Sequence, residues 1–242
     1  MCSSDLVEKG GAQFEQEAPV RSSGPQTAME FAALRTNTTV PEFENWFSGS
    51  QVVNPDGSPK IMYHGTGKSF KKFNAARSGA LAGEKGPFFF TDDPNFASDY
   101  AESDLSAGGR GLPRKKNAVI YPVYISAKNP FDFNNSDHVN NISDKVDWGA
   151  IGRKAFGREV SPGTIEAYKN ILNQGDWKLL EKPELQKAIR EAGYDGFYMN
   201  ENGYKNLAVY DPRQIKSIFN EFSRSEEHTS ELQSRQYLVC RL

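Results

Sequence analysis
The stretch that decides the reading of this chain is IMYHGTG, residues 61–67. Three strand-forming residues, Ile61 to Tyr63, give way to His64 and then to Gly65, Thr66 and Gly67, where the backbone gains freedom to bend. A turn of Asn, Pro, Asp and Gly precedes it in NPDGSP (54–59), and GPFFFT (86–91) follows as a second short strand. A lone histidine at a strand end is more often structural than catalytic, so its meaning depends on what the chain sets in order around it. The overlapping GTGKS (65–69) ends like a phosphate-binding loop. That loop needs a glycine five positions before Gly67, where Met62 stands, so a nucleotide-triphosphatase reading is poor.

Upstream, PEFENWF (41–47) puts Phe43, Trp46 and Phe47 at i, i+3 and i+4, one face of a helix opened by Pro41. Downstream, DPNFASDYAES (93–103) reads as a helix started by Asp92 or Asp93 ahead of Pro94. NAVIYPVYIS (117–126) reads as a strand, with Pro122 suggesting an edge or a bulge. Residues 136–160 show no clear period. PGTIEAYKNILNQ (162–174) and KPELQKAIREAG (182–193) read as helices, the second closed by Gly193. YDGFYMN, the turn ENG and KNLAVYD (194–211) form a hairpin, and QIKSIF (214–219) a last short strand. Hairpins without regular βαβ alternation make this an α+β chain rather than a doubly wound one.

The 242 residues are 37% hydrophobic and 25% charged, with a mean hydropathy of -0.65. That composition fits one soluble domain with polar appendages. No apolar run approaches the ~18 residues of a membrane span, and no secretory signal is visible at the start. A formal charge of -2 argues against a general electrostatic grip on nucleic acid. The basic run GRGLPRKK (109–116) reads as a solvated loop. Residues 7–40, rich in Gln, Glu, Ser, Thr and Ala, read as a disordered linker, with AMEFAALR (28–35) as a possible short helix. MCSSDL (1–6) and the tail from residue 223 to 242, with RSEEHTSELQS inside it, resemble translated sequencing adapters. The chain is therefore expected to be a metagenomic fragment of a gene that continues past both ends. Cys2 and Cys240 fall within these segments, which leaves no disulfide or thiolate chemistry, and no metal site is expected from the two remaining histidines.

Five segments in order carry a resemblance. YHGT (63–66), FFTDDPNFASDYA (89–101) and NLAVYDPRQIKS (206–217), with NWFSGSQVVNPDGSP (45–59) and GYDGFYMN (193–200), are similar to the motifs of the ADP-ribosyltransferase superfamily. The likeness is in particular to the transferase domains of polyvalent proteins of phages and mobile elements, and it covers residues 41–222. It implies the His-Tyr-Glu branch shared with diphtheria toxin and poly(ADP-ribose) polymerases. The implied fold is α+β, a split β-sheet core with peripheral helices. The implied activity is NAD-dependent mono-ADP-ribosyl transfer, in which NAD is cleaved to nicotinamide and ADP-ribose passes to an acceptor, expected to be a protein. No membrane is involved. The implied location is the cytoplasm, with delivery into a host cell alongside phage or element DNA.

Roles follow from the same resemblance. His64 would bond a ribose hydroxyl, Gly65 would offer its N–H and C=O to the nicotinamide carboxamide, and Thr66 could bond a ribose hydroxyl. Tyr100 would stack on the nicotinamide ring with Phe89 as the opposite wall. Two departures stand out. Where the family carries the glutamate that completes the catalytic group with His64 and Tyr100, counting back from VYD gives Asn206, which can hydrogen-bond but carries no charge. Glu201 is the nearest alternative acid. Where the polymerases carry a carboxamide-binding serine stands Ala97, with Ser98 next to it but rotated by about 100° on a helix. The expectation is a weakened transferase whose rate rises at least about tenfold in Asn206→Glu. The rival is a non-enzymatic NAD- or ADP-ribose-binding module on the same fold.

Overall fold
The computed structural model describes residues 27–67, 69–74, 86–102 and 118–218. Among them are eight α-helices and two small sheets, the α+β mixture expected. The segments read as adapter translations (1–6 and 223–242), residues 7–26 of the linker, and the basic run at 109–116 lie outside the described residues.

The first sheet has the order β1(Met62–Thr66), β3(Val119–Ile125), β7(Ile215–Ser217), and the second β2(Phe88–Phe90), β6(Tyr204–Val209), β5(Gly196–Glu201), β4(Pro130–Phe131). One bridge joins them, Tyr63 with Thr91, with N···O distances of 2.7 and 3.0 Å. Among the described residues no ladder continues from this bridge, and this is the split. Side-chain alternation sorts the faces. Met62, Tyr121, Val123 and Ile125 of the first sheet meet Phe88, Phe90, Leu207 and Val209 of the second in a core between the sheets. The outer face of the second sheet, with Phe197, Met199 and Ala208, is covered by α4(Ser136–Ser143), α5(Trp148–Phe156), α6(Pro162–Asn173), α7(Trp177–Leu180) and α8(Pro183–Glu191).

Two helices, α1(Ala28–Arg35) and α2(Val40–Phe47), cover the Tyr124 part of the outer face of the first sheet. Phe43 meets Tyr124 edge-on at 5.4 Å, and Phe47 is buried beside it, as the i, i+3, i+4 pattern predicts. The short helix read at 28–35 is present as α1. Thr27 and Glu30 form a capping box at the start of α1, and Ala32 and Ala33 are fully buried against α2. The described structure therefore includes a helix ahead of Pro41, seated by Ala32 and Ala33 with Met29 packed beside them.

Two other expectations change. Pro122 lies in the central strand of its sheet, not at an edge. It pairs with Tyr63, whose backbone bonds the other way to Thr91, so β1 asks nothing of the missing N–H. On its other side Ile218 donates to the Pro122 carbonyl at 3.2 Å, and the return bond that proline cannot make coincides with the end of β7. Residues 136–160 hold α4 and α5, whose buried apolar residues (Val139 and Ile142, Trp148 and Ile151) span a single turn each, too little for a period to show. The β5–β6 hairpin closes through Asn202 and Gly203, both at positive φ (54° and 89°), which is the two-residue turn that matches strand twist.

Candidate active site
The site residues come from three elements that meet at the split. His64 shares its face of β1 with Met62, so its ring enters the inter-sheet core among Phe70 (5.9 Å), Phe73 (5.3 Å) and Phe90 (5.6 Å). Its Nδ1 lies 2.8 Å from the carbonyl oxygen of Phe89. A carbonyl only accepts, so Nδ1 carries the proton and Nε2 keeps its lone pair. Desolvation by the aromatic surround lowers the histidine pKa, against a smaller raising effect of the Phe89 bond, which favours the neutral ring. Phe70 and Phe73 carry no motif and were not expected here. Phe70 is fixed in the surround because its backbone N–H and carbonyl both bond the Tyr121 hydroxyl.

Gly65 faces the other way. Backbone groups of alternate strand residues aim at opposite edges, so Gly65 shares the edge of Tyr63, the one turned to the split. The resemblance implies a glycine here so that a ligand can approach. A built Cβ meets something closer: the carbonyl oxygen of Ala97 at 1.9 Å. The helix α3(Pro94–Glu102), capped by Asp93 accepting from Asn95 and Phe96, lies directly on this residue. Ala97 is thus a packing residue. The Ser98 hydroxyl donates to Glu102 at 3.3 Å, along the helix. Thr66 ends β1 partly buried.

Tyr63 and Thr91 pair across the bridge, so the α3 side of β1 is continuous with the face of the second sheet that carries Phe89. On that face lie Phe89, edge-on to Phe197, and Asn206 and Glu201. Phe96 of α3 packs on Tyr204 at 4.6 Å, which lays the helix over the hairpin tip. Tyr100, one turn further on, is 46% exposed and so is not a core residue. Partial burial of its phenol, and then the Glu201 and Glu181 carboxylates, raise its pKa. The structure therefore gathers Phe89, Tyr100 and Asn206 on one side of the split. The His64 ring lies on the other face of β1, tied to them through the Phe89 carbonyl. The reason is the register: His64 and Phe90 point inward together, so Phe89 points out.

Asn206 is 3% exposed. Its Nδ2 donates to Glu201 Oε2 at 3.2 Å, and its Oδ1 is buried without a partner. Burial raises the Glu201 pKa, and the bond from Asn206 partly opposes this. Glu181 was not expected at the site. It follows α7, which is docked beside β5 by the Asp176–Asn200 bridge and by Asn200 N–H donating to Gly175 O at 2.7 Å. Burial, and then repulsion from Glu201, raise the Glu181 pKa to about 7. Glu181 also lines a cavity of about 300 Å³ with Lys154, Lys178 and Lys182. Because its native pKa lies above the ordinary 4.5, the folded chain holds more protons, and stability falls as pH rises from about 4.5 to about 7. Glu181→Gln is therefore expected to gain about 1–2 kcal/mol over wild type at about pH 8, after allowance for solvent screening, and little at about pH 4. Thermal midpoints of the two proteins at both pH values check this.

Among the described residues no group of three or more His, Cys, Asp or Glu is placed to hold a metal ion, and no helix is long and apolar enough to cross a membrane. A family model, ADP-ribosyltransferase in polyvalent proteins, matches residues 54–225, more than two thirds of the chain. The chain belongs to that family. No curated protein and no solved structure matches it.

Proposed function
We propose that this chain is an NAD-dependent mono-ADP-ribosyltransferase of the His-Tyr-Glu type, which releases nicotinamide and passes ADP-ribose to a protein acceptor. Family membership supports the reaction class. The observation that supports the finer reading is the exposed Tyr100 ring, close enough to Glu201 to feel its charge, with Glu201 bonded in turn by Asn206. An unpacked aromatic face beside buried polar acceptors suits a flat heteroaromatic ring joined to a sugar diol. Three further features support NAD as substrate, two on the Tyr100 side of β1 and one, His64, reached from the inter-sheet side. The buried Asn206 Oδ1 has no partner and accepts from a hydroxyl; the neutral His64 offers Nε2 as a second acceptor; and the Gly65 edge lies at the split with an N–H and a C=O. Thr66 and Phe89 complete the proposed contacts.

A second reading, a non-enzymatic NAD- or ADP-ribose-binding module, is favoured by one observation: the residue at the acid position is an uncharged amide. Incubation of the purified chain with NAD separates the two. The transferase reading expects nicotinamide to appear in proportion to chain concentration. Binding of NAD by calorimetry with no nicotinamide released selects the module.

A further inference from the structure
Resting on the transferase reading, we infer that Glu201 supplies the carboxylate that Asn206 lacks, so that the acid of this site stands on β5 instead of β6. The register places it there. Met199 pairs with Asn206 and Glu201 with Tyr204, so Glu201 and Asn206 are diagonal neighbours on one face. Such neighbours lie about 7–8 Å apart at the backbone, within reach of a long side chain, and glutamate spans the gap to accept from Asn206 at 3.2 Å. A two-residue turn separates the strands, which leaves the pair no slack to slip.

The surroundings of Glu201 are unusual for a carboxylate kept for structure. It is partly buried, and among the described residues its hydrogen bond is to a neutral amide and no lysine or arginine pairs with it. Buried carboxylates are normally paired. Here the second carboxylate, Glu181, adds to the negative potential on the same side as Tyr100. The amide-bonded pair also has a division of labour. Asn206 holds Glu201 through Nδ2 while its own Oδ1 remains an unpartnered acceptor, so the two residues together offer a sugar diol one neutral and one charged acceptor. In the reaction the bond from ribose C1′ to the nicotinamide nitrogen breaks and its electron pair leaves with nicotinamide. Glu201 stands against the positive charge that develops at C1′. The lone pair of the acceptor group forms the new bond to C1′, and its proton passes to Glu201 and on to water.

The reading from sequence expected Asn206→Glu to gain at least tenfold. With Glu201 already in contact, a second carboxylate at that spacing cannot ionise fully, and no such gain is expected in the otherwise unchanged chain. The test is a cycle of four proteins: wild type, Glu201→Gln, Asn206→Glu, and the double variant. Nicotinamide release and NAD affinity by calorimetry are measured for each, with thermal midpoints to show folding. Glutamine keeps an acceptor for the Asn206 amide. Glu201→Gln is expected to lose about 10²–10³-fold in nicotinamide release while NAD affinity changes less than about tenfold, the split of a group that acts on developing charge. The double variant, with its acid back on β6, is expected to recover at least about tenfold over Glu201→Gln. A Glu201→Gln protein that turns over at the wild-type rate overturns the inference and leaves the transferase reading intact. So does an Asn206→Glu single variant that gains tenfold. A wild type that binds NAD and releases no nicotinamide overturns both.

Discussion

Gly65→Ala is expected to destabilise the fold by about 3 kcal/mol, the upper end for overpacking a closed contact. The methyl group would sit 1.9 Å from the Ala97 carbonyl oxygen and 2.8 Å from its carbon. Both are backbone atoms of α3, so no rotamer relieves the clash and the helix must retreat. Its seat is fixed on both flanks, by the Asp93 cap at its start and by Phe96 on Tyr204. Retreat of α3 also carries Tyr100 away from Glu201. For a domain of this size the expected fall in thermal midpoint is about 6–12 °C, with loss of NAD binding alongside. A Gly65→Ala protein within about 0.5 kcal/mol of wild type would show that α3 does not rest on this residue, and the placement of Tyr100 would fall with it.

The same glycine shows what sequence discloses and what it hides. Its presence after His64 was legible, as were the strand before it, the helix at 94–102 and the hairpin about Asn202 and Gly203, because each depends on residues within a few positions of one another. The reason for the glycine was not, since the atom that excludes a side chain belongs to Ala97, 32 positions away in another element. Glu181 was invisible for the same cause: nothing in DWKLLEKPEL marks a carboxylate that a bridge from Asp176 to Asn200 will dock beside β5. Phe70 and Phe73 likewise acquire their place through Tyr121, a contact across some 50 positions. Alternation along KNLAVYD puts Leu207 and Val209 on one face and Asn206 and Ala208 on the other, and the two cores divide them in the same way. What alternation in β6 alone could not show was that Glu201 lies on the same face, because this follows from the pairing of two strands and not from either one.

His64 is the residue where that distinction has the largest functional consequence. Its motif suggests a side chain lining one cleft with Phe89 and Tyr100, and its ring enters the inter-sheet core and bonds the Phe89 carbonyl from behind. Two effects of His64→Ala therefore separate. Removal of the ring leaves the Phe89 carbonyl short of a donor and opens space among Phe70, Phe73 and Phe90, a stability loss of about 1–3 kcal/mol. If Nε2 also accepts from a ribose hydroxyl, NAD affinity falls as well, by about 1–3 kcal/mol or roughly 5- to 150-fold. His64→Phe distinguishes the two, since an aromatic ring refills the space while neither nitrogen remains. The expected result is that His64→Phe restores much of the thermal midpoint lost in His64→Ala yet binds NAD as poorly, measured by calorimetry on protein shown to be folded. NAD affinity at the wild-type level in folded His64→Phe would confine His64 to a structural role, with Tyr100, Asn206 and Glu201 left to hold the substrate.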